Sequence, residues 1–539
     1  MGVVGEERGQ ELDVLIVGAG FAGLYALYKM RSMGLVAVVV EAAPSVGGTW
    51  HANRYPGARV DIPSLDYSFS FSEDLQQEWH WTERYASQPE LLRYANHVAD
   101  RFGLRDGIRL NTRVTAAQFD DGAQLWRVTA EDGRAWTAHF LIMASGPLST
   151  PNIPAFEGLG SFAGPVLHSA AWPHEPVEFS GRHVAVVGTG SSAAQIIPNI
   201  ARQAESLVVF QRTATYAVPA HNGPLDPTLE ARIKADYPGY RARNRLMRSG
   251  FNSEIPPNQQ SALQVSAAER EATFEQRWRM GGFAFLGAFA DVMTNVRANE
   301  LAAEFVRRKI RQTVTDPATA EILCPKQPIG CKRLCVDSVG YYPTFNRPNV
   351  TLVDISQHPI DTIIPNGLVT GGRTYEFDTL VLATGFDAVT GTLTRMDLRG
   401  RGGVRIQDVW RNGPVNYLGL TVAGFPNLFN IAGAGSTAAF TSVILSIEHH
   451  IEWIADCLAW LGANGRSTLE AREEAQRDWV AFVNAVASQT VFLNCNSWYL
   501  GANIPGKARM FMPLAAGFPA YAERCAAVAQ QGYAGFVVT

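Results

Sequence analysis

Apolar and polar positions along this chain switch between two periods, and the switches mark its elements. Residues 12–17 are a short apolar, β-branched run ending in glycines, which predicts a buried strand. Residues 21–33 carry helical spacing, and residues 36–40 are a second apolar strand, so the chain opens β-α-β. The pattern returns with a strand at 183–187, a helix at 193–203 and a strand at 206–210. Only the architecture repeats, not the sequence; alternation of this kind builds a parallel sheet covered by helices. Two further strands, 140–144 and 379–383, run into Ser145-Gly146 and Thr384-Gly385. Residues 225–304 differ: they are charged, lack two-residue alternation and hold helical runs at 266–280 and 294–312, so they predict a mostly helical insertion. Beyond Gly385 come a strand at 428–432, a glycine-rich loop and a helix at 442–461.

Composition narrows the class. Of 539 residues, 47% are hydrophobic and 18% charged, enough apolar material for two or three cores. A net charge of −4 gives no basic field for nucleic acid. The six cysteines form no C-x-x-C pair, which speaks against a disulfide framework, a zinc ribbon and a thioredoxin-like motif, and no metal site is expected. The first ten residues are polar and acidic, without the pattern of a signal peptide, and Glu6 stands where a myristoylation signal needs Ser or Thr. No apolar stretch approaches about 20 residues, so no membrane partner is expected and the default is a soluble cytoplasmic protein.

The glycines at the strand ends carry chemistry. Gly18-Ala19-Gly20-Phe21-Ala22-Gly23 is G-x-G-x-x-G between a strand and a helix. Such glycines permit the tight turn, a close approach of backbone to pyrophosphate, and close packing of helix on strand. The helix N-terminus offers free N–H groups to the phosphates. Glu41 closes the next strand, where a carboxylate bonds a free ribose 2′-hydroxyl. Gly47-Gly48-Thr49-Trp50 follows and favours FAD, resembling the second flavin-contacting motif of flavoproteins that bind two dinucleotides. A second cradle, Gly188-Thr189-Gly190-Ser191-Ser192-Ala193, is G-x-G-x-x-A, with Gln195 in its helix. After its second strand stand Arg212-Thr213; an arginine there suits a 2′-phosphate that a carboxylate would repel, so this cradle predicts NADPH. The fold class is therefore α/β, with two Rossmann-like domains, one for FAD and one for NADP, and a mostly helical insertion. The expected boundaries are 1–145 and 385–539 for FAD, 146–224 and 305–384 for NADP, and 225–304 for the insertion; a substrate loop and a C-terminal lid fall in 385–539.

Phe162, Gly164, His168, Trp172 and Pro173 spell F-x-G-x-x-x-H-x-x-x-W-P just before the second cradle. This segment resembles the fingerprint of class B flavin monooxygenases of the Baeyer–Villiger type. Residues 47–61, 81–89, 383–387 and 497–507 resemble the same family, so the likeness runs over nearly the whole chain. It is strongest to the phenylacetone-oxidising branch, with cyclohexanone- and steroid-oxidising members further off. The resemblance implies an NADPH- and O₂-dependent enzyme that inserts one oxygen beside a ketone carbonyl. It does so through a C4a-peroxyflavin and a tetrahedral adduct, giving an ester or lactone. It implies Arg333 as the essential cation, Asp61 as the acid that positions it, and Lys332 as a second contact to the coenzyme phosphate. Trp498 then lies near the nicotinamide, Tyr67, Gln88 and Val114 near the flavin, and residues 499–507 in a lid. Residue chemistry alone reads Arg333 as a surface charge, His168 as a structural hydrogen-bonder and Trp498 as core. The loop 434–443, with Ala438, Phe440 and Val443, is the expected substrate pocket and resembles a loop that varies between family members; Phe440 and Val443 depart from the phenylacetone-oxidising branch, and His51-Ala52 from the aromatic pair usual after Gly-Gly-Thr-Trp, which leaves the ketone open. The expected partners are a small ketone and O₂, in a monomer or weak homo-oligomer. The alternatives are an N- or S-oxygenating flavin monooxygenase, a flavin disulfide reductase and a non-catalytic FAD- and NADP-binding protein.

Overall fold

The computed structural model describes residues 11–539, so the readings made on the first ten residues lie outside the described residues. The strand Glu11–Val17 is central to the first sheet, pairing in parallel with Ala37–Val40 on one side and Ala135–Met143 on the other. Ile108–Arg109 extends one edge, and Leu125–Ala130 and Val114–Asp120 extend the other in antiparallel pairing. Two strands arrive from far along the chain. Asp397–Arg399 pairs with Val114–Asp120, and Leu428–Asn430 pairs with Ala135–Met143. The eight-stranded sheet is thus assembled from both ends of the chain. The second sheet has five parallel strands in the order Val350–Asp354, Ser206–Gln211, His183–Val187, Thr379–Leu382 and Val166–His168.

Each first strand feeds a helix through its glycines. Phe21–Ser32 packs under the first sheet against the 21-residue helix Val443–Ala463, which is apolar on most sides and accordingly buried. In the second sheet the helix is Ser191–Ala201, starting two residues before the expected 193 because extended Gly190 already serves as its N-cap. Residues 225–304 do fold as helices: Pro227–Lys234, Tyr237–Leu246, and Ala267–Met280 behind a Ser266–Glu269 capping box. The next helix, Val296–Thr313, runs on past 304. The strand expected at 428–432 stops at Asn430, since Ala432 takes φ +59°.

One expectation needs correction. Cys331 and Cys495 form a disulfide, their Cα atoms 6.2 Å apart across 164 residues of sequence; the other four cysteines are buried thiols. Local spacing cannot show a pair brought together only by the fold. Among the described residues there is no metal-binding cluster and no helix long and apolar enough to cross a membrane.

Candidate active site

The first cradle is bare backbone held tightly. A Cβ on Gly23 would lie 1.8 Å from the Gly18 carbonyl oxygen, and one on Gly48 would lie 2.8 Å from the Gly20 Cα. Gly48 thus closes directly over Gly20, while Phe21 and Ala22 are buried in the first helical turn. The Glu41 carboxylate accepts hydrogen bonds from the backbone N–H groups of Ala19, at 2.6 Å, and Ala43, at 2.8 Å, so it sits on the cradle rim. Behind Thr49, the Trp50 indole donates to the Tyr67 hydroxyl at 3.0 Å, and the Gln88 amide donates to the Trp50 carbonyl. Tyr67 packs edge-on against Phe21. Val114 stands at the start of its strand, two residues past Thr112, whose N–H donates to the Glu41 carbonyl.

The second cradle has the same turn and an open rim. Gly188 takes φ +110°, with the Ala383 carbonyl 2.5 Å from where a Cβ would stand; a Cβ on Gly190 would meet nothing within 4 Å. That open space over a helix N-terminus begun by Ser191 and Ser192 is the room a pyrophosphate needs. The Thr189 hydroxyl donates to the Thr213 carbonyl at 2.9 Å, tying the cradle to the strand end that carries Arg212. Arg212 is exposed, and Lys332 is half-buried close by. Burial, and then the charge of Arg212, pull Lys332 down to about 8. Among the described residues neither cation has a carboxylate partner. Two neighbouring cations without a carboxylate beside the second cradle are a donor set that fits a 2′-phosphate. Gln195 faces the other way: its side chain accepts from the Tyr55 hydroxyl at 3.0 Å and donates to the Arg59 carbonyl at 3.2 Å, joining the second cradle's helix to the segment leading to Asp61.

Arg333 is the most constrained cation of the site. Its Nε and Nη2 both donate to Asp61 Oδ2, at 2.8 and 2.6 Å, and its Nη1 donates to the Ala439 carbonyl at 2.8 Å. The Phe283 ring lies 4.6 Å from its Cζ, and the Tyr499 hydroxyl bonds to it. Burial alone would lower the guanidinium, but Asp61 and Tyr499 more than offset this and hold it above its ordinary value. Tyr499 itself is pushed up to about 12 by burial, only partly relieved by Arg333. Arg333 is therefore a permanent charge.

The loop expected to shape the substrate pocket reaches this cation through Ala439, and Ala438, Phe440 and Val443 are all half-buried around it. Phe440 stacks on Phe492 with centroids 4.3 Å apart and meets the edge of Tyr499 at 4.9 Å. Trp498 packs on Tyr499 at 4.4 Å. The lid segment is fastened at its far end: Lys507 pairs with Asp387 at 2.7 Å, and the Asn503 amide donates to the Phe386 carbonyl.

The fingerprint residues act as structure. His168 is buried; its Nδ1 accepts from the Ala170 N–H, and its Nε2 lies 3.2 Å from the Asn152 carbonyl and 3.1 Å from the Thr384 hydroxyl. Burial lowers its pKa, and a proton on Nδ1 would expel the Ala170 N–H, so it is a neutral clamp between the segments at Asn152 and Thr384. Phe162 packs on Phe377, buried Trp172 on Phe179 ahead of Pro173, and a Cβ on Gly164 would strike the Asp378 carbonyl. Sequence reasoning missed Phe283, the Ala439 carbonyl, the Gln195 bridge and the Lys507–Asp387 pair. Only the last two carry a sequence signal, since Gln195 was singled out and Lys507 and Asp387 lie in motifs already marked.

Comparison with known proteins agrees with this geometry. Residues 15–276 match the family model described as pyridine nucleotide-disulphide oxidoreductase. A Baeyer–Villiger monooxygenase of Pseudooceanicola batsensis is 41% identical, over 98% of this chain and 96% of its own. The phenazine N-monooxygenase PhzNO1 of Lysobacter antibioticus is 38% identical, over 98% and 97%. The structure of an oxidised steroid monooxygenase bound to NADP superimposes with a TM-score of 0.93 at 48% identity, covering 98% of this chain and 99% of that one. With both dinucleotide cradles, the fingerprint and full-length likeness in hand, the chain belongs to the Baeyer–Villiger monooxygenases, a family of FAD-containing, NADPH-dependent enzymes.

Proposed function

We propose that this protein inserts one oxygen atom from O₂ beside a ketone carbonyl, giving an ester or lactone at the expense of NADPH. The observation that carries it is Arg333, locked by Asp61 on two nitrogens while Nη1 rests on a loop carbonyl beside the pocket. FAD, reduced by NADPH and exposed to O₂, would supply the electrons and the inserted oxygen. The chain's own residues do the rest. Asp61 and Phe283 orient the guanidinium, and Nη1 is the donor free to leave Ala439 for the negative charge that develops on the ketone oxygen. The charge itself is already in place, so the reaction asks only for the exchange of that one hydrogen bond. Lys332, Arg212 and Thr213 hold the coenzyme phosphate, and Gly18, Gly20, Gly23, Glu41, Thr49, Trp50, Tyr67, Gln88 and Val114 hold the flavin. Trp498, Tyr499 and Phe440 exclude water from the pocket with an aromatic wall. In domain terms, residues 1–145 and 385–539 hold FAD, and 146–224 and 305–384 hold NADP. Their supports are the two sheets, one built from both chain ends and the other from the middle.

The likeness to a phenazine N-oxygenase favours a second reading, oxygen transfer to an aromatic nitrogen. One experiment separates them. The protein is incubated with NADPH, air and panels of linear, cyclic, aromatic and steroid ketones, aromatic nitrogen heterocycles, tertiary amines and sulfides, and products one oxygen heavier are sought by mass spectrometry. Esters or lactones that vanish in Arg333→Ala support ketone oxidation. N-oxides that survive Arg333→Ala support the second reading, because oxygen transfer to a nitrogen lone pair passes through no tetrahedral carbonyl adduct for Arg333 to stabilise.

A further inference from the structure

We propose that Cys331 and Cys495 are a reversible redox latch that fastens the lid to the segment carrying the catalytic arginine. Cys331 immediately precedes Lys332 and Arg333, and Cys495 stands three residues before Trp498. Their disulfide spans 164 residues, with Cα atoms at an ordinary disulfide separation of 6.2 Å. The bridge makes a second fastening for the lid, whose far end is already held by Lys507 on Asp387 and by Asn503 on the Phe386 carbonyl. Between the two fastenings lies Tyr499, the residue that touches Arg333.

The surroundings brace both cysteines against the helical insertion. The Met293 side chain lies 2.7 Å from where a Cβ on Gly330 would stand, and the Met293 carbonyl accepts from the Val491 N–H at 3.0 Å. Both half-cystine segments therefore rest on one residue, which keeps the two sulfurs in register when the bond is open. The remaining four cysteines are buried and unpaired, so this pair has no competitor for exchange.

Exposure sets the order of events. Cys331 is fully buried and Cys495 half-buried, so Cys495 is the sulfur an oxidant meets. With a hydroperoxide such as hydrogen peroxide, the Cys495 thiolate attacks the O–O bond, gives a sulfenic acid and releases one water. The Cys331 thiol then displaces the sulfenic oxygen as a second water, and the S–S bond forms. Overall, two thiols and one hydrogen peroxide become one disulfide and two waters. A dithiol reductant reverses the change by exchange. The oxidised form holds the lid on Arg333 and Lys332 at both ends, and slows the opening that lets coenzyme and product leave.

The control of turnover rests on the function proposed above; the covalent latch does not. Holoenzyme is treated with hydrogen peroxide or with dithiothreitol and desalted. Its thiols are counted by alkylation after denaturation, trypsin cleavage after Lys507 and Arg509 is timed, and NADPH oxidation is measured with a ketone. Four alkylated thiols are expected in the oxidised form and six in the reduced. The oxidised form should be cut more slowly and lose at least about threefold in kcat, as gated release predicts. Neither Cys331→Ser nor Cys495→Ser can close the bridge, so each should be cut and turn over as the reduced enzyme does, before and after peroxide. Six thiols after peroxide, or equal cleavage of the two forms, overturns the latch. Unequal cleavage with equal kcat overturns its control of turnover. If neither form consumes NADPH, the proposed function fails, and cleavage alone still decides the latch.

Discussion

With the coenzyme phosphate at Lys332, as proposed, coenzyme choice should depend on pH. Burial and the charge of Arg212 pull the Lys332 ammonium down to about 8, so in the free protein it is charged below that pH and neutral above it. Bound phosphate would offset both effects, and so it binds the protonated form in preference. The sign follows. As pH rises through about 8 the competent fraction falls, reaching roughly one in ten at one unit above. If Lys332 contributes most of the phosphate attraction, kcat/KM for NADPH should drop by up to about tenfold per pH unit above 8, since that ratio reports groups of the free enzyme. NADH lacks the 2′-phosphate, so its profile should stay flat over the same range. A charge-assisted hydrogen bond is worth about 1.5–3 kcal/mol, so Lys332→Met should raise the KM for NADPH by roughly ten- to a hundredfold, leave NADH untouched and abolish the pH slope. The assay is steady-state absorbance at several pH values with both coenzymes and saturating ketone. Parallel profiles for NADPH and NADH, or a slope that survives in Lys332→Met, would refute the placement of the phosphate at Lys332.

Other perturbations probe separate parts of the site. Arg333→Ala should lower ester formation by about 10²–10³ while NADPH oxidation continues, as expected for loss of a fixed oxyanion donor; product and coenzyme are followed in the same reaction. Asp61→Asn should give an intermediate loss, because Arg333 keeps its charge and loses its orientation. Gly23→Ala places a Cβ 1.8 Å from the Gly18 carbonyl and should cost at least about 3 kcal/mol of stability, or the flavin itself; thermal melting and the flavin-to-protein absorbance ratio report this. Lys507→Met strands Asp387 in a nearly buried place, so the lid should loosen and hydrogen peroxide release per NADPH should rise; adding Asp387→Asn should recover part of the coupling.

The parts of this molecule legible in the sequence are those specified by local chemistry. The two cradles are readable because a tight turn, a close approach and a helix start all demand small residues at fixed spacing, and Gly18, Gly23 and Gly188 meet those demands. The strand His183–Val187 and the helix after Ser266 are readable because a buried strand shows an unbroken apolar run and a long helix shows a run without strand-like alternation. The antiparallel strands Val114–Asp120 and Leu125–Ala130 are hard to read because their exposed faces are polar and their hydrophobic signal is halved. The small sheet from Ile360 to Glu376 is hard to read for the same reason. Phe283 could not be found at all. Its contact with Arg333 depends on where an insertion folds back, and nothing in the local sequence distinguishes it from a core phenylalanine. Cys331 and Cys495 share that limit.

What the fold adds to the motifs is interdependence. Arg333 travels with the second sheet: Leu334 is buried in that sheet's core, and Cys335 starts a strand paired with Ala217–Pro219. Asp61 travels with the first sheet, since Val60 bonds to the Ala86 carbonyl and Gln88 to that of Ala58. The ion pair at 2.6 Å therefore exists only while the two halves are docked, and Gln195, bonded to Tyr55 and Arg59 on the same stretch, is part of the same seam. Any motion wide enough to admit or release a dinucleotide between the sheets must strain this seam, and Arg333 would lose the carboxylate that aims it. An arginine freed in this way would still be charged, but it would no longer be held where the proposed reaction needs it. The site's chemistry is in this sense conditional on closure, and its oxygen insertion is confined to the state from which the lid and the aromatic wall keep water out.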